Sequence, residues 1–538
     1  NPCSVSPIGT PPQSLGPGAG APASRQIHRP TDSEREGGQA RDQATIRRWK
    51  GRRCVKMSDA EKVDGAEGMI FEILKKTLDG TTAARLGKLS VPKRKPIDTP
   101  NYYAVASRGV LPHVTPDNLK KHAPFSGAYM ALEDFIEKKN PSALSIPSPE
   151  KKPLHTFSCL PESIATVLAA RRNPAVKTPV GNGAKFVAIF TSTGFRNLST
   201  DEYCAAVETL KPDIAIGPAD LFHTSTMPAS KKLVRMAERT EEWTDVFLTA
   251  KRRELFKASG VSVFAPVLAV PYTVQWEYLR HLADEVVDSL SGLALYDVDI
   301  LPDIEDHHKS LDSLPRLSLH IPETPQAVLR QISLGVDICT IPFINAISDA
   351  GVALSFTFPP PENQGNATKP LGDDMWAPEN EVAMEPLSQG CKCYACTTHH
   401  RAFLHHLLNA KEMLGWTLLQ IHNHQVMADF FAGIRATLAK GAAEFEEQSQ
   451  RFVAAYEAEL PQGTGTRPRA RGYHFKGEAN PSRINPPAWV DYAADGEGVA
   501  AKANGAAVAA EGTETPLVPD LGSLELEEKG FAEVAGKK

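Results

Sequence analysis

Three cysteines, Cys391, Cys393 and Cys396, fall within six residues of the stretch QGCKCYACTTHH. At this C-x-C-x-x-C spacing a tight turn brings the thiols towards one point, and thiolates are preferred ligands of zinc wherever thiols stay reduced. A tetrahedral ion needs a fourth donor. Six histidines follow, His399, His400, His405, His406, His422 and His424, and spacing alone does not choose among them. With four protein ligands the coordination shell is closed and the zinc is structural, because a catalytic zinc keeps one position for water. An iron–sulfur cluster is the poorer reading, since its ligation usually takes four cysteines. Three reduced thiols that bind nothing is the plain alternative.

The rest of the chain sets the conditions for that chemistry. It has 538 residues, 41% hydrophobic and 23% charged, enough to bury a large core. The other cysteines, Cys3, Cys54, Cys159, Cys204 and Cys339, are scattered and form no paired framework, which points to a reducing compartment. The apolar run GVSVFAPVLAVPY is interrupted by Pro266 and Pro271 and falls short of the roughly 20 residues of a membrane span. No integral membrane association is expected. A net charge of -5 argues against coating nucleic acid by charge alone.

The elements that must hold the cysteines in place follow from periodicity. Residues 1–56 are rich in Pro, Gly, Ser and Arg, and MSDAEKVDG begins at Met57 like a natural start, so 1–56 reads as a disordered or spurious extension. Asp32, Glu34, Glu36 and Asp42 go against a transit peptide. Over 57–360, apolar strand candidates at 185–190, 213–217, 261–270, 292–298, 315–321, 336–344 and 351–358 alternate with helical stretches such as STDEYCAAVETLK and TPQAVLRQISLG. This is the rhythm of an α/β barrel, with an open doubly wound sheet as runner-up. Residues 361–384 read as a linker and 385–445 as a helical subdomain that carries the cysteines. Residues 446–538 read as a mostly disordered tail. Two basic stretches, KRK at 93–95 and RPRARGYHFKG at 467–477, have the composition of RNA contacts, although a solvated surface is the more ordinary reading of each.

Several stretches carry a resemblance to the tRNA-guanine transglycosylases: RLGKLSVPKRKPIDTP, TGFRNLS, KPDIAIGPAD, SGLALYD, LPRLSLHIPETPQAVLRQISLGVDICTIP and CKCYACTTHHRAFLHHLLNAKEMLGWTLLQIHNH. The resemblance covers about 69–440 and implies a (β/α)8 TIM barrel with an appended zinc-binding subdomain that also forms a subunit interface. The family's I-H-N motif selects His422 as fourth ligand beside Cys391, Cys393 and Cys396, with one structural Zn2+ per chain. Family members that exchange guanine use two aspartates. The resemblance puts Thr340 of GVDICT at the nucleophile position and Thr191 of TSTGFR at the acid/base position. It also gives VLAVPY for the base-recognising Gln-Gly-Gly segment and moves the aspartate of DIAIGPAD to Asp220. Displacing a base from ribose needs an anionic carboxylate, and a threonine hydroxyl without an adjacent base does not replace it. No catalytic residue is therefore assigned.

The pattern is similar to the family's non-catalytic branch. It implies an accessory subunit of a queuine tRNA-ribosyltransferase that pairs with a catalytic subunit, acts on tRNA at the anticodon wobble position, and is cytoplasmic, peripheral association with the mitochondrial outer surface included. Two other readings remain open. One is a self-sufficient transglycosylase that uses Asp337 or Asp220, and the other is a zinc-stabilised RNA-binding scaffold.

Overall fold

The computed structural model describes residues 68–468 apart from 77–81, 138–140, 148–151, 179–180, 223–225 and 363–366. The expected extension at 1–56 lies outside the described residues, as does the tail beyond 468. The chain opens with an antiparallel sheet, β1 (Ile70–Lys76), β2 (Arg85–Ser90) and β3 (Ile97–Thr99). The first three barrel strands follow: β4 (Asn101–Val105), β5 (Gly127–Ala131) and β6 (Ala165–Ala169). A hairpin, β7 (Phe186–Thr191) and β8 (Gly194–Ser199), interrupts them. The barrel then resumes with β9 (Ile214–Ile216), β10 (Ser262–Val267), β11 (Gly292–Leu295), β12 (Arg316–Ser318) and β13 (Ile338–Thr340). Each of the eight pairs in parallel with its neighbour in sequence, and β13 returns to β4 with Ile338 opposite Asn101, so the barrel closes.

These strands are short and, apart from the half-buried Asn101 that opens β4, buried along their whole length, as parallel strands covered on both faces must be. Inside the barrel Tyr103, Tyr129, Val167, Ile216, Phe264 and Leu317 pack against Leu89, Val91 and Ile97 from the N-terminal sheet. That sheet stoppers the end where the strands begin, because Arg85 of β2 pairs with Asp337 (2.6 Å) just ahead of β13. Arg94 and Lys152 likewise meet Asp213 at 3.0 and 2.9 Å ahead of β9. At β11 the wall demands a glycine, since a Cβ on Gly292 would sit 2.5 Å from the Phe264 ring. Both helices anticipated from the sequence are present and capped: Thr200–Leu210 starts with a Ser199–Glu202 capping box, and Pro325–Ser333 starts with Thr324 accepting from the Ala327 amide.

Past the barrel, β14 (Val352–Leu354) and β15 (Gly372–Asp374) form an antiparallel ribbon. Helices Tyr394–Thr398, Arg401–Asn409, Met413–Lys440 and Ala442–Ala455 follow it. Three expectations change here. The apolar runs at 185–190 and 351–358 are strands, but they belong to the β7–β8 hairpin and the β14–β15 ribbon rather than to the barrel. The stretch read as a linker carries β15 and a short helix, Pro378–Glu381, and buries Leu371 and Met375 completely. The packed chain also runs on past 445: Phe445 and Phe452 are fully buried, and at the end of the last helix the Lys369 amide donates to the Ala455 carbonyl while the Glu457 amide donates to the Lys369 carbonyl.

Candidate metal centre and barrel mouth

The four residues of the expected site converge. The Nδ1 atom of His422 lies 3.7, 3.5 and 3.3 Å from the Sγ atoms of Cys391, Cys393 and Cys396, and all four donor atoms lie within 4.8 Å of one another. Zinc bonds of the usual lengths give a sulfur–nitrogen edge of about 3.6 Å in a tetrahedron, so the spacing suits a closed four-coordinate ion. Local structure explains the convergence. Cys393 caps the helix Tyr394–Thr398, its sulfur accepting from the Cys396 amide at 3.3 Å, so both thiols face the same side. His422 sits in the middle of the 28-residue helix Met413–Lys440 and donates from Nε2 to the Leu354 carbonyl of β14 (2.8 Å), which leaves Nδ1 as the acceptor facing the sulfurs.

The electrostatics ask for a cation. Hydrogen bonds from Cys391 and Cys393, aided by the Ser388 and Leu387 backbone, pull the Cys396 thiol down to about 3. Contacts with Cys391 and Cys396 push Cys393 far up. One thiolate forms readily; further thiolates need a positive charge between them. A Cys3His set of this geometry can hold a metal ion.

The remaining histidines have other partners. His400 caps the helix Arg401–Asn409 by accepting from the Phe403 amide, and His399 stacks on Phe403. His424 is fully buried against Tyr102, whose hydroxyl bonds its Nδ1 and backbone carbonyl, and burial lowers its pKa to about 3. His405 contacts Asn409, and His406 is exposed.

At the other end of the barrel, where the strands finish, Thr340 terminates β13. Its side chain is buried, donates to the Ser318 carbonyl (3.0 Å) and accepts from Asn173 Nδ2 (2.8 Å). The Asn173 amide also donates to the Leu319 carbonyl, tying the loop after β6 to the ends of β12 and β13. Beside it, Arg172 reaches Glu133 (3.3 Å) and Asp134 (2.9 Å) after β5. Burial raises the Glu133 pKa, against the opposing pull of Arg172 and Arg171. A cavity of about 310 Å³ opens there, lined by Tyr129, Arg171, Asn173, Tyr296 and His320. A second, of about 370 Å³, adjoins it and shares Arg172, Asn173 and Ile321.

Thr191 ends β7 of the hairpin, next to Phe190, whose backbone carbonyl accepts from Arg172 and whose amide donates to Glu133 at the mouth, and its hydroxyl is engaged by Thr193 and the Gly194 carbonyl. The third barrel strand is β6, and Ala170, Arg171, Arg172 and Asn173 follow it, so guanidinium and amide groups stand at that part of the mouth. Sequence reasoning missed them; the signal was RRNP directly after the apolar run ATVLA. The two alternative carboxylates are engaged elsewhere. Asp337 lies at the opposite end of β13 from the mouth, held by Arg85 and the Arg316 amide. Asp220 is bound by Asn182 and Arg239, each at 2.8 Å.

A closed parallel barrel carrying a Cys3His centre on helices appended to its last strand defines a narrow class. The chain matches the family described as queuine tRNA-ribosyltransferase over residues 79–458, and it belongs to that family. It is 33% identical to the queuine tRNA-ribosyltransferase accessory subunit 2 of Schizosaccharomyces pombe over 418 residues, 77% of this chain and 91% of that one. The Drosophila mojavensis protein of the same description is 26% identical over 373 residues, covering 66% and 86% of the two chains. For that of Culex quinquefasciatus the figures are 29% over 306 residues, 53% and 69%.

Proposed function

We propose that this chain is a non-catalytic, zinc-binding accessory subunit of a heterodimeric queuine tRNA-ribosyltransferase. Its catalytic partner exchanges guanine for queuine at the tRNA wobble position in the cytoplasm. The observation that carries the reading is Thr340: the strand-end position that the resemblance gives to the nucleophile holds a buried hydroxyl already bonded to Asn173 and Ser318. A hydroxyl with no basic partner does not attack a ribose carbon at neutral pH. The names of the similar proteins support the subunit assignment.

Zinc at Cys391, Cys393, Cys396 and His422 is structural in this reading, joining the appended helices to β14. Val382, Met384, Tyr394 and Met413, all exposed in the metal-bearing segment, suit a contact with the catalytic subunit. The barrel contributes surface that orients one tRNA across both subunits while chemistry proceeds at one mouth.

The test is incorporation of labelled guanine or queuine into tRNA by the purified chain, alone and mixed with a catalytic transglycosylase, with assembly followed by size exclusion. Incorporation only in the mixture, with a heterodimer peak, is expected. Incorporation by the chain alone would overturn the reading.

A further inference from the structure

Alternation along the barrel strands decides which side chains face the axis at the mouth. Ala165, Val167 and Ala169 of β6 lie in the apolar interior with Tyr129 and Leu319, and the same alternation carried two residues on reaches Arg171. Counted in the same way from Ala294 of β11, it reaches Tyr296, which packs against that interior. Both residues line the cavity of about 310 Å³ that opens where the strands finish. A guanidinium thus stands over an apolar barrel core, and Arg171 is only 6% exposed.

The charges of this cavity are one-sided. Its lining holds Arg171, Arg172 and His320, and no carboxylate among the described residues. The two acids behind the wall are engaged with Arg172 and with backbone: Asp134 accepts from Arg172 Nε and from the Arg108 amide, both at 3.0 Å, and the Glu133 oxygens accept the Arg172 and Phe190 amides at 2.7 and 3.0 Å. Arg171 donates to the Val176 carbonyl and is drawn by Glu133, yet burial outweighs that attraction and holds its pKa below the ordinary value. A cation buried this far gains from an anion brought to it. Around the charge stand Tyr129, Tyr296, Phe222 and Leu319, apolar and aromatic surface for the body of a ligand, in a volume at the lower end of small-molecule sites, about 300–1,000 Å³.

We propose that this cavity binds the phosphate group of a ribonucleotide, with Arg171 holding the phosphate oxygens, Arg172 and His320 adding positive charge, and Tyr296 and Phe222 against the sugar and base. The arginine fork matches two phosphate oxygens at once, and the end of a (β/α)8 barrel where its strands finish is where such barrels hold phosphate. A phosphate monoester carries nearly two negative charges at neutral pH, so it answers paired arginines better than a carboxylate does. The site is thus selective for an anion, in contrast to a mouth whose carboxylates grip a base. The binding needs neither base exchange nor a second subunit, so its failure would leave the accessory-subunit reading untouched.

The experiment is titration calorimetry of the full-length chain with 5′-GMP and with guanosine, which differ only in the phosphate. Expected is binding of 5′-GMP at least about tenfold tighter than of guanosine, a difference of ~1.4 kcal/mol. Arg171→Met should erase that difference while an unchanged circular dichroism spectrum verifies the fold, and Arg171→Lys, which keeps the charge without the fork, should restore part of it. Excess tRNA then identifies where the phosphate comes from: displacement of 5′-GMP assigns the cavity to a backbone phosphate of RNA, and undisturbed binding assigns it to a free nucleotide. No binding of 5′-GMP by the unaltered chain, equal affinity for guanosine, or unchanged 5′-GMP affinity in folded Arg171→Met would overturn the proposal.

Discussion

Thr340 and the four metal-site residues carry opposite lessons about substitution. Replacing Thr340 by Asp restores the anion that base exchange requires but not its surroundings. The new carboxylate cannot donate to the Ser318 carbonyl, and it meets a mouth rebuilt around Arg171, Arg172 and Asn173. Thr340→Asp is expected to give no detectable incorporation of labelled guanine and to cost about 1–3 kcal/mol in urea denaturation, the usual penalty for an unsatisfied buried polar group. At the metal site a single atom decides. Cys393→Ser removes a ligand while leaving a hydroxyl able to cap the helix Tyr394–Thr398, so its effect reports the metal site. Zinc analysis should fall from about one equivalent per chain to none, and chelation of the parent protein should lower stability by several kcal/mol in the same way. A melting curve unchanged by both treatments would sink the structural role.

At the scale of elements, the two ends of the barrel are built differently. The end where strands begin is held by charge: burial alone would raise the Asp213 pKa, but Lys152, Arg94 and His155 outweigh it and hold the carboxyl below its usual range. Its folded pKa is therefore depressed. The stabilisation it gives is complete above the unfolded value near 3.8 and is lost as pH falls through the lower folded value. Arg94→Met should accordingly cost about 3 kcal/mol at pH 7, where a buried charge loses a partner, and distinctly less at pH 3. Equal losses at both pH values would exclude this account. At the other extreme of the chain, Phe452→Ala should cost about 3–5 kcal/mol if the helix Ala442–Ala455 is part of the packed body, and almost nothing if it were a tail.

These elements also mark where the sequence could be read. The cysteine cluster was legible because its ligands are near neighbours, and β9 to β13 because each is an apolar run followed by a helical stretch. Strands β4, β5 and β6 were passed over: NYYAV and GAYMA mix tyrosine with small or polar residues, ATVLA mixes such residues with valine and leucine, and the Tyr103 and Tyr129 rings are buried by packing across the barrel. The runs FVAIFT and VAL are equally apolar, and apolarity does not say which sheet a strand will join. Thr191 was read from the letters of TSTG alone, and its place on a hairpin was not read, although Gly194, at φ 119°, marks the tight turn.

For the molecule as a whole, the helix Met413–Lys440 links the first strands of the fold to the region past the barrel. Tyr102 of β4 bonds to His424, the Pro100 carbonyl accepts from Arg435, and Lys75 reaches the carbonyls of Leu438 and Ala439. These contacts join residues separated by 322 to 364 positions. A chain emerging from the ribosome therefore holds its first barrel strand in waiting until some 330 more residues have followed. At roughly 5–20 residues per second that delay lasts on the order of 20–60 seconds. Through it, the surface meant for Tyr102, His424 and Phe431 has no lasting occupant, and the strand edge that β13 will close stays open to other chains. The same helix that completes the barrel brings His422 to the three sulfurs, so capture of the ion comes late in folding and records that the first barrel strand and the appended helices have met.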